Sequence, residues 1–299
     1  MGRPVTRSQL VAGLVELGVE AGDTVLVHSS LSAFGFVAGG SITVCQALAA
    51  AVGPTGTIAM PGFTPQLSHP ASWRPERLDG ADPLEISREM PAFDAAATPV
   101  SATIGAVPEC FRGLPGTARS DHPHTSFLAN GALAADLTAH HPVPYRLSSA
   151  GPLGRLWDAA AKILMLGTSW HSCTALHLAE YRTAYPGRRR GRWPVPVPAP
   201  GGVSWAAADE LLVWEGDFDA LGDAFTRACP EAVTVTTVGA ATCRQVGIRE
   251  LVRFAEGWLA GHRDLRGGLA PPGWVNICDA ADALPVPPLR ERLATGGNP

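Results

Sequence analysis

The chain has 299 residues, 46% of which are apolar, and a formal net charge of −4 at pH 7. This apolar fraction suffices for a substantial core, whereas the negative charge argues against nucleic acid as a partner, since phosphate binding requires a clustered basic surface. No apolar stretch approaches the roughly 18 uninterrupted residues of a membrane span, and the N-terminus lacks the apolar core of a signal peptide. We therefore expect a cytoplasmic protein without a membrane partner.

Helical and strand patterns alternate in the first part of the chain. Apolar spacing predicts helices over residues 8–17 and 42–52, and buried strands over residues 24–28 and 57–60. Ser41 is expected to be the N-cap of the second helix. This order of elements predicts an α/β layer architecture.

The rest of the chain combines a long loop with further helices and strands. Residues 65–99 are rich in proline and charge and show little periodicity, so we predict a long loop over the surface. The proline-interrupted residues 195–202 predict an edge strand or a loop, because proline cannot lie inside a central strand. The pattern predicts helices at 104–112, 133–138, 174–182 and 248–259, and strands at 162–167 and 233–238.

One compact domain over residues 1–269 is the predicted organisation, because neither an internal repeat nor a clear linker divides the chain. Within it, residues 186–225 could form a small β-containing subdomain. A proline-rich tail follows over residues 270–299. The six cysteines are scattered without the paired spacing of a zinc site, so we expect no bound metal.

His177 and Glu180 are the residues that most clearly indicate chemistry. They lie three positions apart in the predicted helix 174–182, directly after a buried strand, so they share one helix face near the carboxyl end of that strand. A histidine in this place suits a general base, because imidazole exchanges protons near neutral pH. From the pattern alone a structural His–Glu pair stays open, whereas a metal site lacks a third ligand nearby.

Several polar stretches add candidates for binding. Residues 27–30 and 119–126 gather hydroxyls, histidines and an arginine on loops, which suits recognition of phosphate or amide groups. The acidic residues 214–219 could orient a histidine or attract a cationic amine, with a solvated turn as the alternative. The basic run at 188–192 could meet cofactor phosphates or form a solvated loop. A serine hydrolase is disfavoured, because the sequence has no GxSxG motif.

A resemblance to a known family rests on five segments taken in order. They are VHSSLSAFGFVAGG (27–40), MPGFT (60–64), RSDHPHTS (119–126), TALHLAEY (174–181) and VGAATCRQVGIRELVRFAEGWL (238–259). Their order and spacing resemble the aminoglycoside 3-N-acetyltransferase family over residues 5–261. The resemblance implies a three-layer α/β/α sandwich with a mixed central sheet, and acetyl-CoA as the co-substrate in a groove beside the acceptor pocket.

The resemblance also implies roles for individual residues. The catalytic set comprises a histidine, its neighbouring carboxylate and an acidic residue that orients the histidine, namely His177, Glu180 and Asp217. The residues expected to bind acetyl-CoA are Ser29, Ser30, Leu31, Gly39, Gly40, Arg119, Ser120, His122 and Ser126. The residues expected to contact the cationic acceptor are Phe63, His171 and Asp219. Independently of the family, glycines let backbone amides approach phosphate oxygens.

The implied function is acetylation of the 3-amino group of the deoxystreptamine ring of an aminoglycoside, which confers antibiotic resistance. His177 would take a proton while the amine attacks the thioester carbonyl directly, without a covalent acyl-enzyme. Two alternatives stay open: an N-acyltransferase that tailors another amine in natural-product biosynthesis, and a protein that binds CoA without turnover. The first alternative is raised by the basic character of residues 182–197. A homodimer is one of the oligomeric states to be expected.

Overall fold

A mixed seven-stranded sheet with helices on both faces forms the centre of the protein. The structure is a computed structural model that describes residues 3–263 and 287–289. In chain order its helices and strands are α1 (Arg7–Glu16), β1 (Thr24–Ser29), α2 (Ser41–Val52), β2 (Thr57–Pro61), α3 (Pro75–Leu78), α4 (Pro83–Glu89), α5 (Ala106–Arg112), β3 (Ala118–Arg119), β4 (Phe127–Gly131), α6 (Ala134–Thr138), α7 (Pro152–Asp158), β5 (Lys162–Leu166), α8 (Ala175–Arg182), β6 (Arg190–Ala199), β7 (Gly202–Leu211), α9 (Phe218–Ala228), β8 (Val233–Val238), β9 (Ala241–Gly247) and α10 (Ile248–His262).

The strand order in the sheet is β3-β4-β2-β1-β5-β9-β8. The central strand β1 pairs in parallel with β2 and with β5, and the outer strands pair antiparallel. At the carboxyl ends of β1 and β5, His28 lies opposite Met165 and Ser29 lies opposite Leu166. Ligands of α/β proteins bind at such ends, so this register places the first motif beside the end of the strand that leads to the fourth motif.

The two faces of the sheet are buried in separate cores, which explains the uninterrupted apolar character of the central strands. On β5, Ile163 and Met165 face one core, whereas Leu164 and Leu166 face the other. Helices α1, α2 and α5 cover the face whose core includes Leu10, Leu14, Val44, Leu48 and Phe111. Helices α6 to α10 cover the face whose core includes Leu137, Leu153, Leu176, Phe225 and Leu251. The predicted three-layer α/β/α sandwich is therefore confirmed.

The proline-rich segment 195–202 covers the end of β6, the turn at 200–201 and the first residue of β7, and the two strands form a separate hairpin. Pro194, Pro196 and Pro198 alternate along β6, so their missing N–H groups share the side that does not pair with β7. The sequence allowed an edge strand or a loop, and the structure selects the edge strand. The hairpin lies within residues 186–225, whose separation as a subdomain stays a prediction.

Other elements differ from the sequence-based expectations. Gly40, not Ser41, is the N-cap of α2, and its φ of 63° is one that glycine adopts without strain. Residues 65–99 form short helices, including α3 and α4, and bury Leu67 and Met90 against Trp205 of β7. The pattern did not predict α7, β7, α9 or β9. The predicted tail over residues 270–299 lies outside the described residues, apart from residues 287–289.

Within residues 3–263 and 287–289, the helices are too short or too polar to cross a membrane.

Replacing Ile163 with alanine should lower the free energy of unfolding by about 2–5 kcal/mol, because it leaves a cavity against the central strand β5. The matched change Val235→Ala lies on the edge strand β8, where the side chain is 53% exposed, and should cost less than about 0.5 kcal/mol. Urea denaturation followed by tryptophan fluorescence measures both values. Equal losses for the two variants would contradict the central position of β5.

Candidate active site

Two neighbouring cavities open at the carboxyl ends of β1 and β5. The larger cavity has a volume of about 1110 Å³, and its walls include His28, Phe63, His171, His177, Trp193 and Glu215. The smaller cavity has a volume of about 820 Å³, and its walls include Ser30, Leu31, Gly35, Gly39, Gly40 and Gly105. Ser29 and Thr168 line both cavities, so the two spaces share a wall.

His177 and Glu180 form a direct pair on α8, as their spacing predicts. Nδ1 of His177 lies 2.6 Å from Oε2 of Glu180. A carboxylate can only accept, so Nδ1 donates this bond and Nε2 is the ring nitrogen left for proton exchange in the larger cavity. Glu180 is fully buried, and the imidazole ring of His177 packs against the ring of Phe218 in a tilted arrangement, with the ring centroids 4.9 Å apart. The pair has the geometry of a general base oriented by a carboxylate.

The buried carboxylate of Glu180 is balanced by Arg263, which follows α10. The guanidinium of Arg263 donates to Oε1 of Glu180, and the backbone N–H of Trp214 donates to the same oxygen at 2.9 Å. Burial by itself would lower the pKa of Arg263, but its bonds to Asp217 and Glu180 outweigh burial and raise that pKa above its usual value. No local sequence pattern pointed to Arg263, since it lies 83 positions from Glu180.

Within residues 3–263 no hydrogen bond joins Asp217 to His177, which corrects the orienting role expected for Asp217. Its two carboxylate oxygens accept from Nε and Nη2 of Arg263 at 2.7 and 2.6 Å. The orienting bond to His177 comes from Glu180, and Asp217 acts on it only through Arg263. This fork-shaped pairing of two nitrogens with two oxygens fixes the plane of the guanidinium.

Asp219 also has a different place from the one expected. Its carboxylate accepts from the backbone N–H of His171 at 2.9 Å and from the hydroxyl of Ser169 at 3.2 Å. It therefore stabilises the turn at Trp170–Ser172 and is not part of either cavity wall. Phe63 and His171, the other two residues expected to contact the acceptor, do line the larger cavity.

The first motif supplies a cavity wall suited to a phosphate-bearing ligand. Ser29, Ser30, Leu31, Gly39 and Gly40 all line the smaller cavity. A Cβ added at Gly40 would meet no atom within 4 Å, so its backbone faces open space. Gly40 also caps the 12-residue helix α2, whose unpaired N–H groups favour an anion. These residues fit a CoA-type ligand, and their contacts with it stay a prediction.

The third motif is structural, which contradicts the prediction that its residues bind acetyl-CoA. Ser120, His122 and Ser126 are fully buried, and neither they nor Arg119 line the two cavities. Arg119 donates to the hydroxyl of Ser126 at 2.9 Å and to the carbonyl of Gly62 at 2.7 Å. Ser120 accepts from the N–H of Phe127 and pairs with His141. Here the arginine, serine and histidine side chains connect loops by hydrogen bonds. Residue type alone cannot distinguish this structural role from ligand binding.

A cluster of buried histidines surrounds this motif. The rings of His122 and His141 lie 4.5 Å apart, and those of His122 and His124 lie 6.3 Å apart. Burial, as the largest cause, lowers the pKa of His124 and of His141 to about 3, and lowers the pKa of His122 well below its usual value. All three rings are therefore neutral in the folded protein at ordinary pH.

His28 lies on β1 in the wall of the larger cavity. Burial, and secondarily the nearby His177, lower the pKa of His28 to about 3. Among the described residues, Nε2 of His28 has no hydrogen-bond partner. The ring of His28 is therefore neutral. Unlike His28, His177 has a carboxylate partner.

The wall of the larger cavity carries both signs of charge. Its carboxylates are Glu76 and Glu215, and its guanidinium groups are those of Arg74, Arg77 and Arg146.

Across the part of the chain that the structure describes, no group of three or more His, Cys, Asp or Glu side chains could hold a metal ion.

Comparison with known proteins identifies the family. A sequence model described as aminoglycoside 3-N-acetyltransferase matches residues 26–260, which is most of the chain. The chain belongs to the aminoglycoside 3-N-acetyltransferase family. The enzyme class that the sequence motifs implied, acyltransferase, is thereby confirmed.

Individual members of the aminoglycoside 3-N-acetyltransferase family match over nearly their whole length. The SPbeta prophage-derived aminoglycoside N(3')-acetyltransferase-like protein YokD of Bacillus subtilis is 38% identical over 263 residues, which cover 86% of this chain and 93% of YokD. Its crystal structure has a TM-score of 0.78 and covers 87% of this chain and 100% of that chain at 37% identity. Aminoglycoside N(3)-acetyltransferase VIII of Streptomyces fradiae is 37% identical over 256 residues, covering 85% and 86%. A structure of AAC-IIIb in binary complex with CoASH has a TM-score of 0.75 at 30% identity, covering 90% and 100%.

Glu180→Gln should lower kcat by about a hundredfold or more, because the amide lacks the negative charge that stabilises the imidazolium formed when His177 accepts a proton. Asp217→Asn should lower kcat by a smaller factor, since Asp217 acts through Arg263. Thiol release from acetyl-CoA gives kcat, and circular dichroism verifies that each variant is folded. A folded Asp217→Asn variant as slow as Glu180→Gln would restore the direct role that the structure denies to Asp217.

The free energy of unfolding should fall as the pH drops below about 6.5, the usual pKa of histidine. His122, His124 and His141 have lowered pKa values in the folded state, so between about pH 3 and pH 6.5 the unfolded state binds more protons. Each extra proton lowers stability by about 1.4 kcal/mol per pH unit. Denaturant titrations from pH 7.5 to pH 5 measure the slope.

His141→Gln should reduce this slope by the contribution of one proton, about 1.4 kcal/mol per pH unit. The matched control is the same change at the exposed neighbour His140, which should leave the slope nearly unchanged. A slope that is the same in both variants and in the wild type would show that His141 is not a source of the acid sensitivity.

Proposed function

We propose that the protein transfers the acetyl group of acetyl-CoA to the 3-amino group of the deoxystreptamine ring of an aminoglycoside and thereby confers resistance. The observation that carries this proposal is the His177–Glu180 pair in the larger cavity, which shares a wall with the smaller, glycine-lined cavity. A general base beside two adjoining binding spaces suits direct transfer between two bound substrates. Membership of the family supports this function over the biosynthetic and non-catalytic alternatives.

Acetyl-CoA is assigned to the smaller cavity. Its glycine-rich wall and the amino end of α2 suit a diphosphate, and AAC-IIIb, a structural relative, has been solved with CoASH. The thioester then has to reach the wall that both cavities share, where it lies within reach of an amine bound in the larger cavity.

The reaction needs one proton relay and no covalent enzyme intermediate. Nε2 of His177 takes a proton from the amine while nitrogen attacks the thioester carbonyl. The C–S bond then breaks, and the proton passes to the thiolate of CoA. Cys173 lies close in the chain to His177, but burial raises the pKa of its thiol to about 12. It is therefore a poor nucleophile, which supports the direct transfer.

The acceptor is assigned to the larger cavity, with Glu76 and Glu215 as the groups that bind its ammonium ions. This replaces the expectation for Asp219, whose carboxylate is engaged with the turn at Trp170–Ser172. Arg74, Arg77 and Arg146 share the same wall. Because Arg146 pairs with Glu210 at 2.9 Å, its charge is partly compensated.

We infer a cytoplasmic location, where acetyl-CoA is available, with acetyl-CoA and a cationic amine as partners. Neither nucleic acid nor a membrane is part of this proposal, and a homodimer stays an open expectation.

The deciding experiment measures thiol release from acetyl-CoA across a panel of aminoglycosides and other amines. We expect release with aminoglycosides, lowered about a hundredfold or more in His177→Ala, because the general base is lost. His140→Ala is the matched control, since His140 is exposed and lies in neither cavity wall. Release with other amines only would assign a biosynthetic role, and no release with any amine would leave a CoA-binding protein.

A further inference from the structure

The wall of the smaller cavity includes an exposed aromatic ring. Phe36 is 69% exposed, the largest value among the exposed large apolar residues in the described part of the chain, which are Val15, Phe36, Ile42, Leu84, Leu133 and Val235. Of these described residues, Phe36 alone lines either of the two cavities. A single exposed apolar side chain is ordinary on a protein surface, but in the wall of a binding cavity it offers apolar area that a ligand can cover.

The backbone on both sides of Phe36 is held by the segment that precedes α1. The N–H of Val5 donates to the carbonyl of Phe36 at 2.8 Å, and the N–H of Ala38 donates to the carbonyl of Val5 at 2.9 Å. Val37 lies between these two bonds, forms a parallel bridge with Val5 and is only 6% exposed. Adjacent side chains of extended backbone point to opposite sides, so burial of Val37 directs the ring of Phe36 outwards.

A tight turn connects Phe36 to the amino end of α2. The N–H of Gly40 donates to the carbonyl of Val37 at 3.0 Å, and Gly40 is the N-cap of α2. The amino end of this helix is the position assigned to the diphosphate of acetyl-CoA, because its N–H groups favour an anion. Phe36 and the diphosphate position are therefore separated by a single turn of the chain.

Phe36 lies in the part of the smaller cavity that is not shared with the larger one. The residues that line both cavities are Ser29, Thr103, Ile104, Thr168 and Ser172, and the thioester has to reach this shared wall. Phe36 lines the smaller cavity only. When the thioester is at the shared wall and the diphosphate is at the amino end of α2, the nucleotide lies on the far side of the diphosphate. Adenine is the flat aromatic part of that nucleotide.

We propose that the ring of Phe36 stacks on the adenine ring of acetyl-CoA and determines the affinity for the nucleotide half of the co-substrate. This inference deepens the proposed function and rests on its assignment of acetyl-CoA to the smaller cavity. A base and an aromatic side chain attract one another in an offset stack, and each removes apolar area of the other from water. The role of Phe36 is in binding, and it takes no part in the proton transfer at His177.

The first test measures the Kd of CoA by isothermal titration calorimetry without an acceptor. Phe36→Ala should raise this Kd about tenfold, because the stack with the base is lost, whereas Phe36→Trp keeps an aromatic ring and should bind CoA as tightly as the wild type. Val15→Ala is the matched control, because Val15 is 59% exposed on α1 and lines neither cavity. A folded Phe36→Ala variant with an unchanged Kd would overturn the proposal.

The second test identifies the part of CoA that Phe36 contacts. Adenosine 3′,5′-bisphosphate carries the base without the pantetheine arm, and pantetheine carries the arm without the base. In protein labelled with ¹³C on its phenylalanine rings, the signal of Phe36 is the one that is lost in Phe36→Leu. This signal should move when the bisphosphate is added, because the ring current of the base acts on it, and should stay in place with pantetheine. A signal that stays in place with the bisphosphate would overturn the assignment to adenine.

Both tests use CoA or its fragments alone, so their results do not depend on the acceptor. If the wild type binds CoA but acetylates no aminoglycoside, the proposed acceptor is wrong, and weaker binding of CoA by Phe36→Ala still supports the role of Phe36. If the wild type acetylates an aminoglycoside and Phe36→Ala binds CoA normally, the proposed function stands and the role of Phe36 is wrong.

Discussion

The buried carboxylate of Glu180 is the group on which the site depends. A carboxylate that is shielded from water is costly unless a cation and hydrogen-bond donors compensate it. Arg263 and the N–H of Trp214 supply this compensation, and Asp217 in turn fixes the plane of Arg263. The chain therefore has to bring α8, the start of α9 and the end of α10 to one point. The orientation of His177 follows from that convergence.

The sheet provides the second constraint, because it decides where the two substrates can meet. Parallel pairing of β1 with β2 and β5 places their carboxyl ends at the same edge. The glycine-containing loop after β1 and the turn after β5 both open there, so one cavity is lined by glycines and hydroxyls and the other by His177. Since Ser29 and Thr168 belong to both walls, the transfer that we propose would take place where the two cavities adjoin.

Residue type was a poor guide to role in the third motif. This motif has the side chains of a phosphate-binding loop, namely Arg119, Ser120, His122 and Ser126. Their hydrogen bonds instead connect buried loop segments, one of which contains His141. Polar groups inside a protein need partners just as a ligand does, so a polar loop motif serves either purpose. The same ambiguity affects Asp219, whose carboxylate stabilises a turn.

The sequence by itself determined the features that depend on short-range periodicity and motif order. These are the buried strands β1, β2 and β5, the helix that places His177 beside Glu180, the glycines of the smaller cavity and the family. Only the tertiary structure decided which polar groups meet over long separations. The pairing of Glu180 with Arg263, the diversion of Asp217 from His177 and the burial of His122 arise from contacts between distant elements, whose geometry no local pattern records. Local patterns fix which face of an element is buried, whereas packing of whole elements fixes which charge lies next to which.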